Sequence, residues 1–479
     1  MLDFLIIGAG VVGGFVAREL TKYKLSVTIV DAAGDVAMGA TRANSAIVHA
    51  GFDAKAGSLK ARLNVRGSEM MEATALELGV KYKRNGALVV GFDEDDERTL
   101  ASLLERGEKN GVKGLRILKR DEILKMEENI GDGVTAALYA PTSAIVCPYE
   151  LCIAAVGNAM DNGARLRLGF KVAEILAEGG GYTAVSDKGE KISARFVINC
   201  AGTHSDEIAA MVGDTSFTVR ARRGEYTLFD KECGSLVGTT VFRCPTAMGK
   251  GVLVTPTVDG NLLIGPSAED IDDKDDTKNT ASALISVRNR AMEQVKGIDT
   301  RKAITTFAGL RATGSTGDFI INHNGRGFIN CAGIESPGLT SAPAIAEYVV
   351  DMLTEMGVRL EINPSFNPVR KPSHWFSLLD NDGKNEVIKE HPEYARIICR
   401  CEVITEGEIL EAIRTNPRPT DLDGVKRRTR ATMGRCQGGF CSPYIVELLA
   451  REMQVDFTDV TKLGGGSYIN VGRTKEIKE

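Results

Sequence analysis

The sequence is poor in tryptophan and histidine and lacks long apolar runs and a basic excess. It has 1 Trp and 5 His in 479 residues. No apolar stretch approaches the roughly 18 residues that a membrane-spanning helix needs, so we expect no integral membrane protein. The 59 Lys and Arg face 64 Asp and Glu, which gives a net charge of −5. An acidic chain has no electrostatic basis for binding nucleic acid.

The first residues show no basic start followed by an apolar stretch, so we expect no secretory signal. We therefore expect the 10 cysteines to lie in a reducing compartment, where a disulfide framework does not form. The expected location is the cytoplasm, and peripheral attachment to the inner face of the membrane stays open.

Glycine, in contrast, is abundant, with 52 residues, many of them directly after apolar runs. The run at 4–7 predicts a buried strand and leads into Gly8-x-Gly10-x-x-Gly13, a predicted helix and a second strand that ends at Asp31. Gly8 allows the tight turn, Gly10 lets a pyrophosphate approach the backbone, and Gly13 lets helix and strand pack closely. Asp31 is suited to accept hydrogen bonds from ribose hydroxyls. This order predicts a dinucleotide-binding site.

The rest of the pattern predicts an α/β fold in which a Rossmann-like unit is interrupted by an antiparallel β-sheet that faces the substrate. Helices are predicted at 58–78 and 94–109. A small, α-rich domain with clustered cysteines follows a proline-rich boundary. The expected units are the Rossmann-like parts at about 1–80, 145–215 and 320–360, the inserted sheet at about 81–144 and 216–319 (together 1–365), a linker at 366–393, a cysteine domain at 394–462, and a tail at 463–479.

Four cysteines of this last domain stand in two close pairs, Cys399-x-Cys401 and Cys436-x4-Cys441. Four thiolates in such pairs can enclose a zinc ion or a 2Fe–2S cluster. Zinc sites favour about two residues between paired cysteines, so these spacings favour the cluster and leave zinc as the alternative. The segment resembles the bacterioferritin-associated ferredoxin type of 2Fe–2S domain.

Three further segments carry a second resemblance, which covers about residues 1–365. They are Gly39-Ala-Thr-Arg-Ala-Asn-Ser-Ala-Ile-Val-His-Ala-Gly-Phe-Asp53, Val197-Ile-Asn-Cys-Ala-Gly202 and Gly333-Ile-Glu-Ser-Pro-Gly-Leu-Thr-Ser341. Together with the glycine motif they resemble the FAD-dependent oxidoreductases of the D-amino-acid oxidase type, and within them the glycerol-3-phosphate dehydrogenase and oxidase branch. The resemblance implies that the Rossmann-like unit is an FAD-binding domain.

The resemblance also implies which residues surround FAD. Val172 would hold the adenine edge through its backbone, and the start of the last helix of this unit would meet the pyrimidine end of the flavin. The implied cofactor residues are Gly8, Gly10, Val12, Gly13, Asp31, Thr41, Arg42, Asn44, Ser45, Val172, Ala201, Gly202, Gly338, Leu339 and Thr340.

Three residues are candidates for the chemistry. His49 lies in the flavin-adjacent segment among small neighbours, and an ordinary histidine pKa of about 6.5 suits a base at neutral pH. The resemblance assigns substrate deprotonation to this histidine and binding of the substrate's anionic group to Arg311. The family usually has proline after that arginine, where this chain has Ala312. Lys250 matches a less strictly defined basic position and equally fits a solvated lysine in a glycine turn.

The resemblance implies that sn-glycerol 3-phosphate is oxidised to dihydroxyacetone phosphate, with hydride passing to flavin N5. A 2Fe–2S cluster carries one electron at a time, which implies a protein electron acceptor or a partner flavoprotein subunit. One alternative is an L-2-hydroxyglutarate or other 2-hydroxy-acid dehydrogenase, since such enzymes share the Val-His-Ala-Gly segment at 48–51. Another is an electron-transfer subunit that has no substrate of its own.

Overall fold

The computed structural model describes residues 1–245 and 251–472. Its strands are β1 (Leu2–Ile7), β2 (Val27–Val30), β3 (Ile47–Val48), β4 (Tyr82–Lys83), β5 (Ala87–Gly91), β6 (Arg116–Lys119), β7 (Ala136–Ala140), β8 (Ala144–Val146), β9 (Arg165–Arg167), β10 (Val172–Glu178), β11 (Gly181–Ser186), β12 (Lys191–Asn199), β13 (Val219–Phe229), β14 (Thr240–Arg243), β15 (Leu253–Pro256), β16 (Leu262–Gly265), β17 (Glu269–Ile271), β18 (Ala303–Gly314), β19 (Ile320–His323), β20 (Phe328–Ala332), β21 (Ile397–Cys399) and β22 (Ile404–Thr405). Its helices are α1 (Val11–Leu20), α2 (Leu59–Glu77), α3 (Glu94–Lys109), α4 (Arg120–Met126), α5 (Pro148–Asp161), α6 (Ser205–Ala210), α7 (Ala281–Gln294), α8 (Gly338–Glu355), α9 (Trp375–Leu378), α10 (Asn381–Glu390), α11 (Glu406–Arg414), α12 (Leu422–Thr429) and α13 (Ser442–Met453).

The first sheet is built around β1, which pairs in parallel with β2 on one side and β12 on the other. The strand order is β10-β11-β12-β1-β2-β9, and β20 pairs in parallel with the last residues of β12. Apolar residues of β1 and β2, among them Phe4, Ile6 and Ile29, share one core with α1, α5 and α8. The carboxyl ends of β1, β2, β12 and β20 therefore meet at one edge, where α/β sheets bind ligands.

A second sheet has the order β17-β13-β16-β15-β14-β5-β7-β6, with β18 paired along nearly all of β13. Its pairs are antiparallel except for β5 with β14, which are parallel because a long excursion of the chain separates them. Helix α7 covers one face, where Val287 and Ala291 join the core around Val254 and Leu262. The α/β fold with an inserted, mainly antiparallel sheet is confirmed.

The C-terminal residues form a small helical unit in which α11, α12 and α13 enclose their own apolar core. The stretch 366–393, which we expected to be a linker, contains α9 and α10. Its Trp375 donates from Nε1 to Glu411 of α11 at 2.5 Å, and the rings of Phe376 and Tyr394 lie 4.7 Å apart. Over the described ranges, none of the helices combines the length and the apolar character that a membrane crossing requires.

Candidate functional site

The glycine motif forms the turn between β1 and α1. Gly8 has a φ of +111°, and a Cβ on it would lie 2.3 Å from the carbonyl oxygen of Cys200 at the end of β12. A Cβ on Gly13 would lie 2.0 Å from the Gly8 oxygen, so helix and strand touch through backbone. Gly10 caps α1 without a side chain, and the first turn of the helix holds no acidic residue. The positive end of the helix is thus open to an anionic group.

A cavity of about 1050 Å³ extends from this turn along the sheet edge to β18. Its volume is at the upper end for small-molecule sites, as a dinucleotide requires. Most of the predicted cofactor residues line it, together with both described candidates for the chemistry. They are Gly8, Gly10, Val12, Asp31, Thr41, Arg42, Asn44, Ser45, Val172, Ala201, Gly202, Gly338, Leu339, His49 and Arg311.

Two of the predicted residues that the structure describes, Gly13 and Thr340, do not line the cavity. Gly13 packs against the glycine turn behind it. Thr340 is fully buried; its hydroxyl accepts a hydrogen bond from the His49 N–H at 2.9 Å and donates to the Ile47 carbonyl at 3.3 Å. Thr340 therefore supports the histidine segment from behind. Lys250 lies outside the described residues.

The carboxylate of Asp31 ties two parts of the cavity wall together. One oxygen accepts from the N–H of Ala9 in the glycine turn at 2.7 Å, and the other accepts from the N–H of Ala33 at 2.8 Å. Burial raises the pKa of Asp31, although these two N–H groups act against the rise. Each carboxylate oxygen retains a second lone pair, so the group can still accept from ligand hydroxyls at the cavity surface.

The segment after β2 crosses from the glycine turn towards the second sheet. Thr41 accepts from the N–H of Val11 at 3.0 Å, which joins the segment to the start of α1. The side-chain amide of Asn44 donates to the Thr41 carbonyl at 2.9 Å. The hydroxyl of Ser45 lies 3.2 Å from that of Tyr226 on β13. The segment is therefore held at both ends along the cavity.

His49 is held by contacts to its backbone and to its ring. Its N–H donates to Thr340, and its carbonyl accepts from the Asn64 amide at 2.6 Å. The ring Nε2 lies 3.2 Å from the hydroxyl of Ser336, and the ring centroid lies 5.9 Å from that of Phe242. The imidazole thus has a fixed position at the cavity wall.

Arg311 on β18 lies directly opposite Arg222 on β13, and both line the cavity. Arg222 forms a bidentate pair with Asp270, at 2.5 and 3.0 Å. Within the described part of the chain, the one hydrogen bond of the Arg311 side chain is a long contact of 3.5 Å from Nη2 to the Ser267 carbonyl. Its guanidinium therefore keeps nearly all of its donors for an anionic ligand, whereas the charge of Arg222 is already paired with a carboxylate.

A polar group at the same wall of the cavity, which was not predicted from the sequence, consists of Lys60, Glu335 and Thr313. Lys60 lies 2.9 Å from Glu335, whose other oxygen accepts from the hydroxyl of Thr313 at 3.0 Å. Lys60 and Glu335 both line the cavity. Glu335 lies inside the Gly333–Ser341 motif, which marked it as a residue near the flavin. Its pairing with Lys60, 275 positions away, cannot be predicted from neighbouring residues.

The four predicted metal ligands form two pairs, each with one cysteine from either half of the domain. The sulfurs of Cys401 and Cys436 lie 3.5 Å apart, and a hydrogen bond with Cys441 lowers the pKa of Cys399 to about 6. Within the described chain no three His, Cys, Asp or Glu side chains group around a single metal position. The two thiol pairs supply two thiolates for each of two irons, as a 2Fe–2S cluster requires.

Glycine makes room beside these cysteines. A Cβ on Gly434 would lie 2.2 Å from the Cβ of Cys401, and Gly438 has a φ of +88°. The loop that carries Cys436 can therefore pass close to Cys401 only with glycine at these positions.

Comparisons with known proteins agree with both sites. Residues 3–352 match the FAD dependent oxidoreductase (DAO) family, and residues 397–451 match the BFD-like [2Fe-2S] binding domain. The chain is 48% identical over 477 residues to a glycerol 3-phosphate dehydrogenase of Caloramator mitchellensis, covering 99% of each chain. It is 32% identical over 363 residues to a glycerol 3-phosphate oxidase of Mycoplasma pneumoniae, covering 73% of this chain and 94% of the relative.

A solved structure shows the same fold. The dithionite-reduced L-α-glycerophosphate oxidase of Mycoplasma pneumoniae with FAD bound superposes with a TM-score of 0.73 at 30% identity, covering 77% of this chain and 98% of that one. FAD and a 2Fe–2S cluster are thus the cofactors that the two sites hold. The chain belongs to the family of FAD-dependent oxidoreductases of the D-amino-acid oxidase type and carries a BFD-like 2Fe–2S domain at its C-terminal end.

Proposed function

We propose that the protein is a glycerol-3-phosphate dehydrogenase, which oxidises sn-glycerol 3-phosphate to dihydroxyacetone phosphate. The observation that carries the proposal is that a fixed histidine, His49, and an arginine with free donors, Arg311, line one cavity with the dinucleotide turn. The relatives named for glycerol 3-phosphate, one of them alike over nearly the whole chain, support the same substrate.

Each residue has a distinct part in the proposed reaction. Arg311 binds the phosphate of the substrate through paired N–H donors, which fixes the carbinol within the cavity. The substrate hydroxyl replaces the Ser336 hydroxyl at Nε2 of His49, and the lone pair of Nε2 then takes the hydroxyl proton as general base. Bound FAD supplies the acceptor for the hydride that leaves the carbinol carbon. Lys250 is kept as a second candidate for binding the anionic group.

The C-terminal domain provides the exit for electrons. Cys401 is exposed, Cys436 is partly exposed, and Cys399 and Cys441 are buried. The side of the cysteine cluster that carries Cys401 is therefore accessible from solvent. We infer that electrons leave on this side, singly, to a protein electron acceptor or a partner flavoprotein subunit.

An anaerobic titration tests the proposal. Addition of glycerol 3-phosphate to the protein with both cofactors should bleach the flavin and then reduce the cluster. Absence of flavin bleaching would contradict the proposed substrate. Bleaching without reduction of the cluster would contradict the electron path alone.

A 2-hydroxy acid is the second candidate substrate, because a guanidinium such as that of Arg311 binds a carboxylate as readily as a phosphate. A mitochondrial L-2-hydroxyglutarate dehydrogenase of Pongo abelii is 31% identical to the chain over 282 residues, covering 56% of this chain and 67% of the relative. The same titration with L-2-hydroxyglutarate separates the two. Faster flavin bleaching by the 2-hydroxy acid would replace glycerol 3-phosphate as the substrate.

A further inference from the structure

A buried ion cluster joins the C-terminal domain to the FAD-binding unit. Asp35, 2% exposed, accepts hydrogen bonds from Arg427 at 2.6 Å and from both terminal nitrogens of Arg428 at 2.8 and 2.9 Å. Both arginines belong to α12 and are themselves buried. Arg428 also donates to the carbonyls of Pro417 and Gly424. Arg428 is therefore held in place by its own domain, and together with Arg427 it binds one carboxylate.

Asp35 stands in the loop that connects two walls of the FAD cavity. The loop starts at Asp31, whose carboxylate binds the N–H of Ala9. Two residues after Asp35, Ala37 donates its N–H to the carbonyl of Ala9 at 3.0 Å. The loop around Asp35 is thus hydrogen-bonded to the glycine turn itself. A displacement of Asp35 would be transmitted to Ala9 through these bonds.

On its other side the same loop runs into the flavin-adjacent segment. Residues 38–45 line the cavity, and Thr41 is bound to the start of α1. Among the described residues, those that line the cavity all precede position 340, so α12 acts on it from outside: through the hydrogen bonds to Asp35, and through the charges of Asp423 and Arg427 on the cavity residue Arg42. Burial opposes ionisation of Asp35, but Arg428 and Arg427 keep its pKa below the ordinary value. The carboxylate is therefore charged at neutral pH, and its removal leaves two buried cations unpaired.

We propose that α12 of the cluster domain is a positioning element of the FAD site: Arg427 and Arg428, acting through Asp35, hold the loop 31–42 in the conformation that binds FAD. Docking of the cluster domain and retention of FAD are then coupled, and the coupling is reciprocal. This proposal does not depend on the identity of the substrate.

The test compares Asp35→Asn with Asp259→Asn in the full-length protein. Asp259 is a matched control, because it is also a buried carboxylate that pairs with an arginine of the C-terminal domain, Arg430, at 2.7 Å. It lies on the β15–β16 turn and does not line the cavity. The dissociation constant for FAD is measured by titrating the flavin-free proteins and following flavin fluorescence.

We expect Asp35→Asn to raise the dissociation constant for FAD about tenfold, which corresponds to about 1.4 kcal/mol. Asp259→Asn should leave it within about twofold of the parent value. An unchanged constant in Asp35→Asn, or an equal rise in both variants, would overturn the proposal, because the effect would then not pass through the loop.

Two further measurements keep the test decisive if Asp35→Asn folds poorly. Arg428→Lys keeps the charge and loses the paired donors, so a smaller rise in the dissociation constant is expected. In the parent protein, added FAD should slow amide hydrogen exchange in α12, and this slowing should be weaker in Arg428→Lys. If the rate of amide hydrogen exchange in α12 of the parent protein does not change when FAD is added, the coupling is contradicted.

Discussion

Nε2 of His49 lies 3.2 Å from the hydroxyl of Ser336, although 287 positions separate the two residues. His49 belongs to the segment that follows the dinucleotide turn, and Ser336 belongs to the turn that leads into α8. The contact joins the two chain segments that border the flavin end of the cavity. The contact shows that Nε2 faces a hydroxyl group in a fixed direction, so a substrate hydroxyl that replaces Ser336 there is placed for general base catalysis.

Replacement of His49 tests this role. We expect His49→Asn to slow substrate-driven flavin bleaching by about 10²- to 10⁴-fold, the usual contribution of a general base, while FAD stays bound. Stopped-flow absorbance under anaerobic conditions measures the rate. His204→Asn is the control, because His204 also lines the cavity but pairs with Glu207 and Asp275.

The outcome also separates an enzyme from a relay. Unchanged turnover of His49→Asn within a larger complex would support an electron-transfer subunit without its own substrate. Equal slowing in His49→Asn and His204→Asn would instead indicate a general disturbance of the cavity.

Replacement of Arg311 tests substrate binding. A hydrogen bond to a charged group contributes about 1.5–3 kcal/mol, so Arg311→Met should lower kcat/KM by about 10- to 150-fold. Arg222→Met, on the neighbouring strand, should lower kcat/KM less than Arg311→Met does, because Arg222 is already paired with Asp270. Steady-state rates with glycerol 3-phosphate and with L-2-hydroxyglutarate measure both. Equal losses in the two variants would contradict the special role of Arg311.

Local sequence patterns were enough to predict the dinucleotide turn and two of the helices. The glycine motif, the helix at 58–78 and the acidic helix at 94–109 correspond to the β1–α1 turn, α2 and α3. Each carries its signal in neighbouring residues: the side chain of Ser58 accepts from the Ala61 N–H, and Asp93 caps α3 by accepting from the Asp96 N–H. Such local hydrogen bonds depend only on residues a few positions apart.

Other features could not be read in this way. Helix α7 was missed within the block of strands, because it buries few residues and so lacks a clear apolar face. Its capping residue, Thr280, was the available signal. The bonds of Asp35 to Arg428, 393 positions away, depend on how two domains dock. The contact between Ser45 and Tyr226 likewise requires the second sheet to lie against the first.

Removal of one thiolate tests the cluster. Cys401→Ser should abolish the electron paramagnetic resonance signal of the reduced 2Fe–2S centre and leave iron well below the parent content, since both cysteine pairs are needed for two irons. The flavin should still bleach with substrate, but reduction of a protein acceptor should stop. Cys244→Ser is the control, because Cys244 is buried in the second sheet's core. Iron that stays at the parent level in Cys401→Ser would contradict the cluster. Zinc in place of iron in the parent protein would contradict it as well.

The ion pairs of His204 predict a pH dependence of stability. Burial disfavours the charged imidazole, but Glu207 and Asp275 outweigh it and raise the pKa of His204 above its ordinary value. A raised folded-state pKa means that the pairs stabilise fully below the unfolded-state pKa and are lost as pH rises through the folded-state value.

Replacement of His204 by Gln should therefore lower the melting temperature more at about pH 6 than at about pH 8.5, because less of the imidazole is protonated at the higher pH. Because the side chain is 38% exposed, solvent screening limits the difference in the free energy of unfolding to less than about 1 kcal/mol. Differential scanning fluorimetry at both pH values measures it. A larger loss at the higher pH would reverse the sign and show that the neutral ring is the stabilising form.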